Sequence, residues 1–94
     1  MDESFDFNSA TDRPVAVSFH DGKVWVTLAD GRVIGNPLDW QPWLAEATHE
    51  QRAAYELRAY SVDWPELDEG LDIEGMLRGI RPRASTVEVE EARA

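Results

Sequence analysis

The sequence predicts an α+β fold: a three-stranded antiparallel β-meander followed by short helices, a fourth strand and a short C-terminal helix. Three observations carry that expectation. Between Pro14 and Pro37 apolar residues alternate with polar ones and are punctuated twice by Asp-Gly. After Pro37 the period lengthens to that of amphipathic helices. The apolar fraction, 43% with four Trp, is that of a chain that packs rather than one that stays unfolded.

In the first strand Val15, Val17 and Phe19 alternate up to Asp21-Gly22. In the second, Val24, Val26 and Leu28 alternate with Trp25 and Thr27 up to Asp30-Gly31, and the third begins near Val33. Asp-Gly supplies the positive φ angles of a tight hairpin turn, and β-branched or aromatic residues flank both turns. Next, Leu38, Trp40, Trp43, Leu44 and Ala47 suit one short amphipathic helix, with Pro42 acceptable near its start. Thr-His-Glu-Gln at residues 48–51 has the form of a capping box and predicts a second helix over about residues 49–55. Residues 57–62 alternate as a fourth strand, with helix continuation to about Tyr60 as the competing reading. Asp72 is placed to cap a last helix that ends at Gly79.

Ninety-four residues make one domain, expected over residues 14–82, between a flexible acidic arm at 1–13 and a flexible tail at 83–94. The acidic N-terminal segment does not read as a signal peptide, and no apolar run reaches the ~20 residues of a membrane span, so a cytoplasmic location is expected. With no cysteine there is no disulfide, thiolate metal site or cysteine nucleophile.

The net charge is −10, and residues 14–82 alone hold twelve acidic against six basic residues. Such a surface repels phosphate backbones and attracts cations, which disfavours direct DNA binding and anionic membranes. Its densest part is Asp63–Gly75, where Asp63, Glu66, Asp68, Glu69, Asp72 and Glu74 surround Trp64 without a Lys or Arg.

As an EF-hand this stretch fails. With Gly70 or Gly75 at the sixth loop position, the first ligand would be Pro65 or Gly70, and neither offers a carboxylate. Acid–base catalysis needs two carboxylates at a set separation across a groove, which spacing along a chain does not supply. His20 and His49 have no second ligand at metal spacing, the serines lack a nucleophile elbow, and no glycine run matches a phosphate loop. No cofactor and no enzymatic activity are expected.

Trp25 points to the opposite sheet face from Val24 and Val26, so it lies under a helix or partly exposed. Trp40 and Trp43, three residues apart, either fill the space between helix and sheet or belong to an interface. A meander edge also leaves pairing of two copies, a homodimer, open.

The order of strands and turns, then Pro37-Leu38, Ala47-Thr48, Glu50-Gln51-Arg52 and above all Trp-Pro-Glu-Leu-Asp-Glu at 64–69, resembles the domain-of-unknown-function 2442 family over roughly residues 14–80. The family commonly has His where this chain has Asp63, and an acid where it has Gly70. The resemblance implies a small α+β fold and an antitoxin-like role beside a small protein of another uncharacterised family. Some members are fused to a helix-turn-helix domain, for which the chain after Gly79 is expected to be too short. The resulting expectation is a non-enzymatic interaction module. It binds a small basic protein through Asp63, Glu66, Asp68 and Glu69 on a loop that Trp64 pins as its hydrophobic anchor, with Trp64 also offered as an anchor to the partner. The alternative is an acidic nucleic-acid mimic that inhibits a nucleic-acid-processing or bacterial defence complex.

Overall fold

The computed structural model describes residues 7–80. The expected tail at 83–94 and the first six residues of the expected arm lie outside them.

Strands β1 (Pro14–His20), β2 (Lys23–Leu28) and β3 (Val33–Pro37) form the antiparallel meander in the order β1-β2-β3. The two Asp-Gly turns differ in kind. His20 pairs with Lys23, so Asp21 and Gly22 alone form the first loop, with φ of 56° and 72°. Two left-handed residues in a row give the turn whose twist matches that of the strands. In the second, the Gly31 N–H donates to the Leu28 carbonyl and Gly31 alone is left-handed, at φ 96°. That is a wider loop, with the glycine absorbing the bulge. In β1 the register slips between Pro14 and Ala16, which turns Val15 out to solvent.

The expected single helix after Pro37 is two separate turns: a 3-10 turn at Leu38–Trp40 and the short helix α2 (Pro42–Ala45), which Pro42 starts. A proline ring fits a first helical turn but excludes its own N–H from continuing an earlier one. Helix α3 (His49–Ala53) carries the complete capping box, with Thr48 Oγ1 accepting from Gln51 N and Gln51 Oε1 from Thr48 N.

The single fourth strand expected over residues 57–62 is a correction. Here β4 (Glu56–Leu57) turns at residues 58–60 and returns as β5 (Ser61–Trp64). The acidic stretch is itself the next hairpin. A 3-10 turn at Pro65–Leu67, closed by Asp68 in the left-handed region at φ 55°, leads into β6 (Glu69–Asp72), and β4-β5-β6 form a second antiparallel sheet. Asp72 then caps the last helix, α4 (Ile73–Leu77), through the Gly75 N–H at 3.1 Å. The architecture is α+β, with two small three-stranded sheets and four short α-helices among the described residues. Among the described residues no helix is long and apolar enough to cross a membrane.

Val24, Val26 and Leu28 from β2 meet Leu44 of α2, Val62 and Trp64 of β5, Leu71 of β6, and Ile73 and Met76 of α4 in one core. Trp64 is its largest member, 0% exposed. Its indole N–H donates to the Arg52 carbonyl at 3.0 Å. Its ring meets Trp43, Tyr55 and Phe19, at centroid distances of 5.5, 6.1 and 6.5 Å.

The reading of 1–13 as a loose arm needs correction for residues 7–13. Asn8 caps the short helix α1 (Ser9–Asp12) through Ala10 N, and Phe7 packs on Tyr60 at 4.9 Å. Asp12 is buried. It accepts from the Asn8 N–H at 2.9 Å and from Thr11 Oγ1, and it pairs with Arg32, which also holds Asp30. One ion pair thus fastens the N-terminal turn to the β2–β3 loop. The Asn8 N–H, foremost, and the Arg32 guanidinium hold the Asp12 carboxyl below its ordinary value of 3.8, against the opposing effect of burial.

A depressed folded value means that the contribution of Asp12 is complete above the ordinary carboxylate range and is lost as pH falls through the folded value. Urea midpoints measured from neutral pH to below 3.8 are therefore expected to fall more steeply in the wild type than in Asp12→Asn. Equal acid dependence in the two proteins would contradict the assignment.

Candidate functional site

Strand alternation decides what the acidic stretch presents. In β5, Val62 and Trp64 point into the core, so Asp63 between them points out. On the returning strand Gly70 faces Asp63 and Leu71 faces Val62, while Leu71 turns inward. Asp63, Asp68 and Glu69, with Arg58, Pro65 and Gly70, line a shallow open depression of about 410 Å³ that Trp64 underlies. Glu66 is exposed on the 3-10 turn beside it.

The expected site residues separate by role. Trp64, expected to pin the acidic loop and also to anchor a partner, does the first only: with no exposed surface it anchors the hairpin to the core from inside, and its part in a partner contact is corrected. Asp63 is occupied within the chain, accepting from Arg58 Nε at 2.9 Å, and Arg58 also reaches Glu56 at 2.8 Å. Glu66, Asp68 and Glu69 are exposed, and among the described residues no basic side chain pairs with them. Asp72 serves as a helix cap, and Glu74 lies 3.7 Å from Arg78 one turn on. Among the described residues no three His, Asp or Glu gather as a group that could hold a metal. The depression offers acids and one arginine, and its lining has no His, Ser, Thr or Tyr.

The other tryptophans resolve differently. Trp25 is half-buried on the outer face of the meander, packed on the sheet itself. Its indole lies over Gly35, where a Cβ would come within 2.6 Å of the ring. It stacks against His20 at 5.2 Å and donates its N–H to the His20 carbonyl. Trp43 is half-buried against Trp64, and Trp40 is half-buried in the preceding turn.

Sequence reasoning missed Arg58 and the part played by Gly70. Arg58 follows Glu56 and precedes Asp63 by five positions, a spacing that means something only once residues 58–60 are known to turn. The hairpin there, Arg-Ala-Tyr, has none of the Gly, Asn or Asp that mark turns.

A family model described as a protein of unknown function (DUF2442) matches residues 14–82, most of the chain. The chain belongs to that family. This DUF2442 domain is also similar to two solved structures, each 25% identical to it. One, a protein of unknown function from Rhodospirillum rubrum, has a TM-score of 0.63, with 76% of this chain and 90% of that one covered. The other, an uncharacterised protein from Chromobacterium violaceum, has a TM-score of 0.65, with 77% and 70% covered. No curated protein matches significantly.

Asp63 and Gly70 are direct partners across the β5–β6 ladder. A Cβ on Gly70 would lie 2.6 Å from Asp63 Oδ1 and 3.1 Å from the Val62 carbonyl oxygen. An acid at 70 would also place like charges opposite each other. Asp at 63 thus suits Gly at 70, and His at 63 suits an acid. In a double-mutant cycle with Asp63→His and Gly70→Glu, the double variant is expected to be more stable in urea denaturation than the sum of the single effects predicts, by about 0.2–1 kcal/mol. Additivity would show that the two positions are independent.

Proposed function

We propose that this protein is a non-enzymatic, cytoplasmic interaction module, antitoxin-like in its role, whose acidic hairpin binds a small basic protein. One observation carries the reading: Glu66, Asp68 and Glu69 stand exposed on a single turn and strand end, without intramolecular cations among the described residues. Three neighbouring carboxylates held on a rigid hairpin cost folding stability through mutual repulsion, and a cationic partner removes that cost while gaining on-rate from steering. The shallow form of the depression suits a protein surface better than an enclosed substrate. Because Trp64 is internal, the contact rests on charge at the hairpin, and Asp63 contributes by holding Arg58 aside.

The test is affinity capture from the native host at low and moderate salt, with mass spectrometry and a check for bound nucleic acid. One small basic protein is expected on the wild-type bait, released as salt rises. The triple variant Glu66→Lys, Asp68→Lys, Glu69→Lys, with its fold checked by circular dichroism, should bind it about tenfold or more weakly. Undiminished binding by the variant at low salt would overturn the assignment. Capture of a nucleic-acid-processing complex in competition with DNA or RNA would favour the nucleic-acid-mimic reading instead.

A further inference from the structure

A second concavity, sharing no lining residue with the acidic depression, lies between β1 and α3. It is a groove of about 400 Å³ lined by Val17, Phe19, His49, Arg52, Ala53 and Tyr55. Four of those six residues are apolar or aromatic, and the other two are the only ones that carry or can gain positive charge. That is the composition of a small-molecule site, a half-open, largely apolar groove with two polar groups at its side, and the volume lies within the roughly 300–1,000 Å³ such sites occupy.

Arg52 gives the groove its direction. The guanidinium is half-buried, lies over the Phe19 ring at 5.4 Å, and donates through Nε and Nη2 to the Leu44 and Ala45 carbonyls at 3.1 and 2.9 Å. These contacts cap α2 and fix the side chain, but carbonyls and a ring do not neutralise it. Elsewhere among the described residues Arg32 faces Asp12 and Asp30, Arg58 faces Glu56 and Asp63, and Arg78 faces Glu74, while Arg13 is exposed and donates to the Ser9 and Ala10 carbonyls. Arg52 has no carboxylate within ion-pair distance among the described residues, and Nη1 keeps its donors. A half-desolvated, immobilised cation beside aromatic walls is complementary to an anion with an apolar body. The overall charge of −10 works against polyanions such as nucleotides and favours a ligand of low negative charge.

We propose that the Val17–Phe19–Tyr55 groove binds a small aromatic monocarboxylate, its ring among the apolar side chains and its carboxylate on Arg52 with His49 at the side. This site is independent of the acidic-hairpin reading and stands or falls separately.

Nuclear magnetic resonance titration of the whole chain tests it, following the Val17 methyls, the Arg52 Nε–H and the Tyr55 ring. Phenylacetate is the probe and phenylacetamide its neutral isostere. Saturable shifts confined to these groups are expected with phenylacetate, and binding of the amide at least about tenfold weaker. Arg52 supports α2, so the variants leave it in place. Ala53→Phe, at an exposed position on the rim, should abolish the shifts by filling the groove. His49→Glu, which suits a first helical turn, should weaken binding several-fold by adding a negative charge. Non-saturating shifts, equal binding of the amide, or undiminished binding by Ala53→Phe would each overturn the proposal.

Discussion

The fold depends on the way one indole is enclosed. Trp64 ends β5 with its ring among Phe19 of β1, Trp43 of α2 and Tyr55 just after α3, and its N–H on the carbonyl of Arg52. Aromatic pairs add about 0.5–1.5 kcal/mol each beyond simple burial. The hydrogen bond removes the penalty that an unpaired indole N–H would incur inside. Arg52, in turn, closes the end of α2 with its side chain while its backbone holds Trp64. Two sheets and two short helices, none with enough hydrogen bonds to persist alone, thus meet at one side chain.

That enclosure determines the character of the acidic surface. Once Trp64 and Val62 point inward, the pleat sends Asp63 outward, and the 3-10 turn brings Glu66 and Asp68 to the rim. Glu66 and Asp68 have no intramolecular cation among the described residues, so they contribute no ion pair to the fold, and the hairpin is held by the ring beneath them. Core and charge are separated along a stretch of six residues: the tryptophan stabilises, and Glu66, Asp68 and Glu69 stand exposed at the surface.

Much of this was legible in the sequence where local chemistry decides local structure. Asp21-Gly22, the Thr48–Gln51 box and Asp72 specify their turns and caps through groups within a few residues of one another, and each appears where expected. The meander followed from alternation between those turns. What was not legible depended on distant pairing. The β4–β5 hairpin turns on Arg-Ala-Tyr, which carries no turn signature, and its existence is enforced by Val62 and Trp64 reaching the core. The acidic run conceals β6 because charge density in sequence resembles a loop until Leu71 is seen to face Val62. The N-terminal turn was invisible for the same reason: Asp12 is twenty residues from the Arg32 that holds it. Trp64 pins the acidic loop as expected, and its alternation with Asp63 leaves it no surface to offer a partner.

The most direct test of the central role of Trp64 is hydrogen exchange at the indole N–H groups, assigned by NMR in the intact chain. The Trp64 N–H should exchange only through global unfolding, with a protection free energy equal to that from urea denaturation, while the half-buried Trp25 N–H on the outer sheet face should exchange through far smaller fluctuations. Exchange of Trp64 as fast as that of Trp25 would place the ring at the surface, and the separation of a tryptophan core from an acidic surface would fail with it.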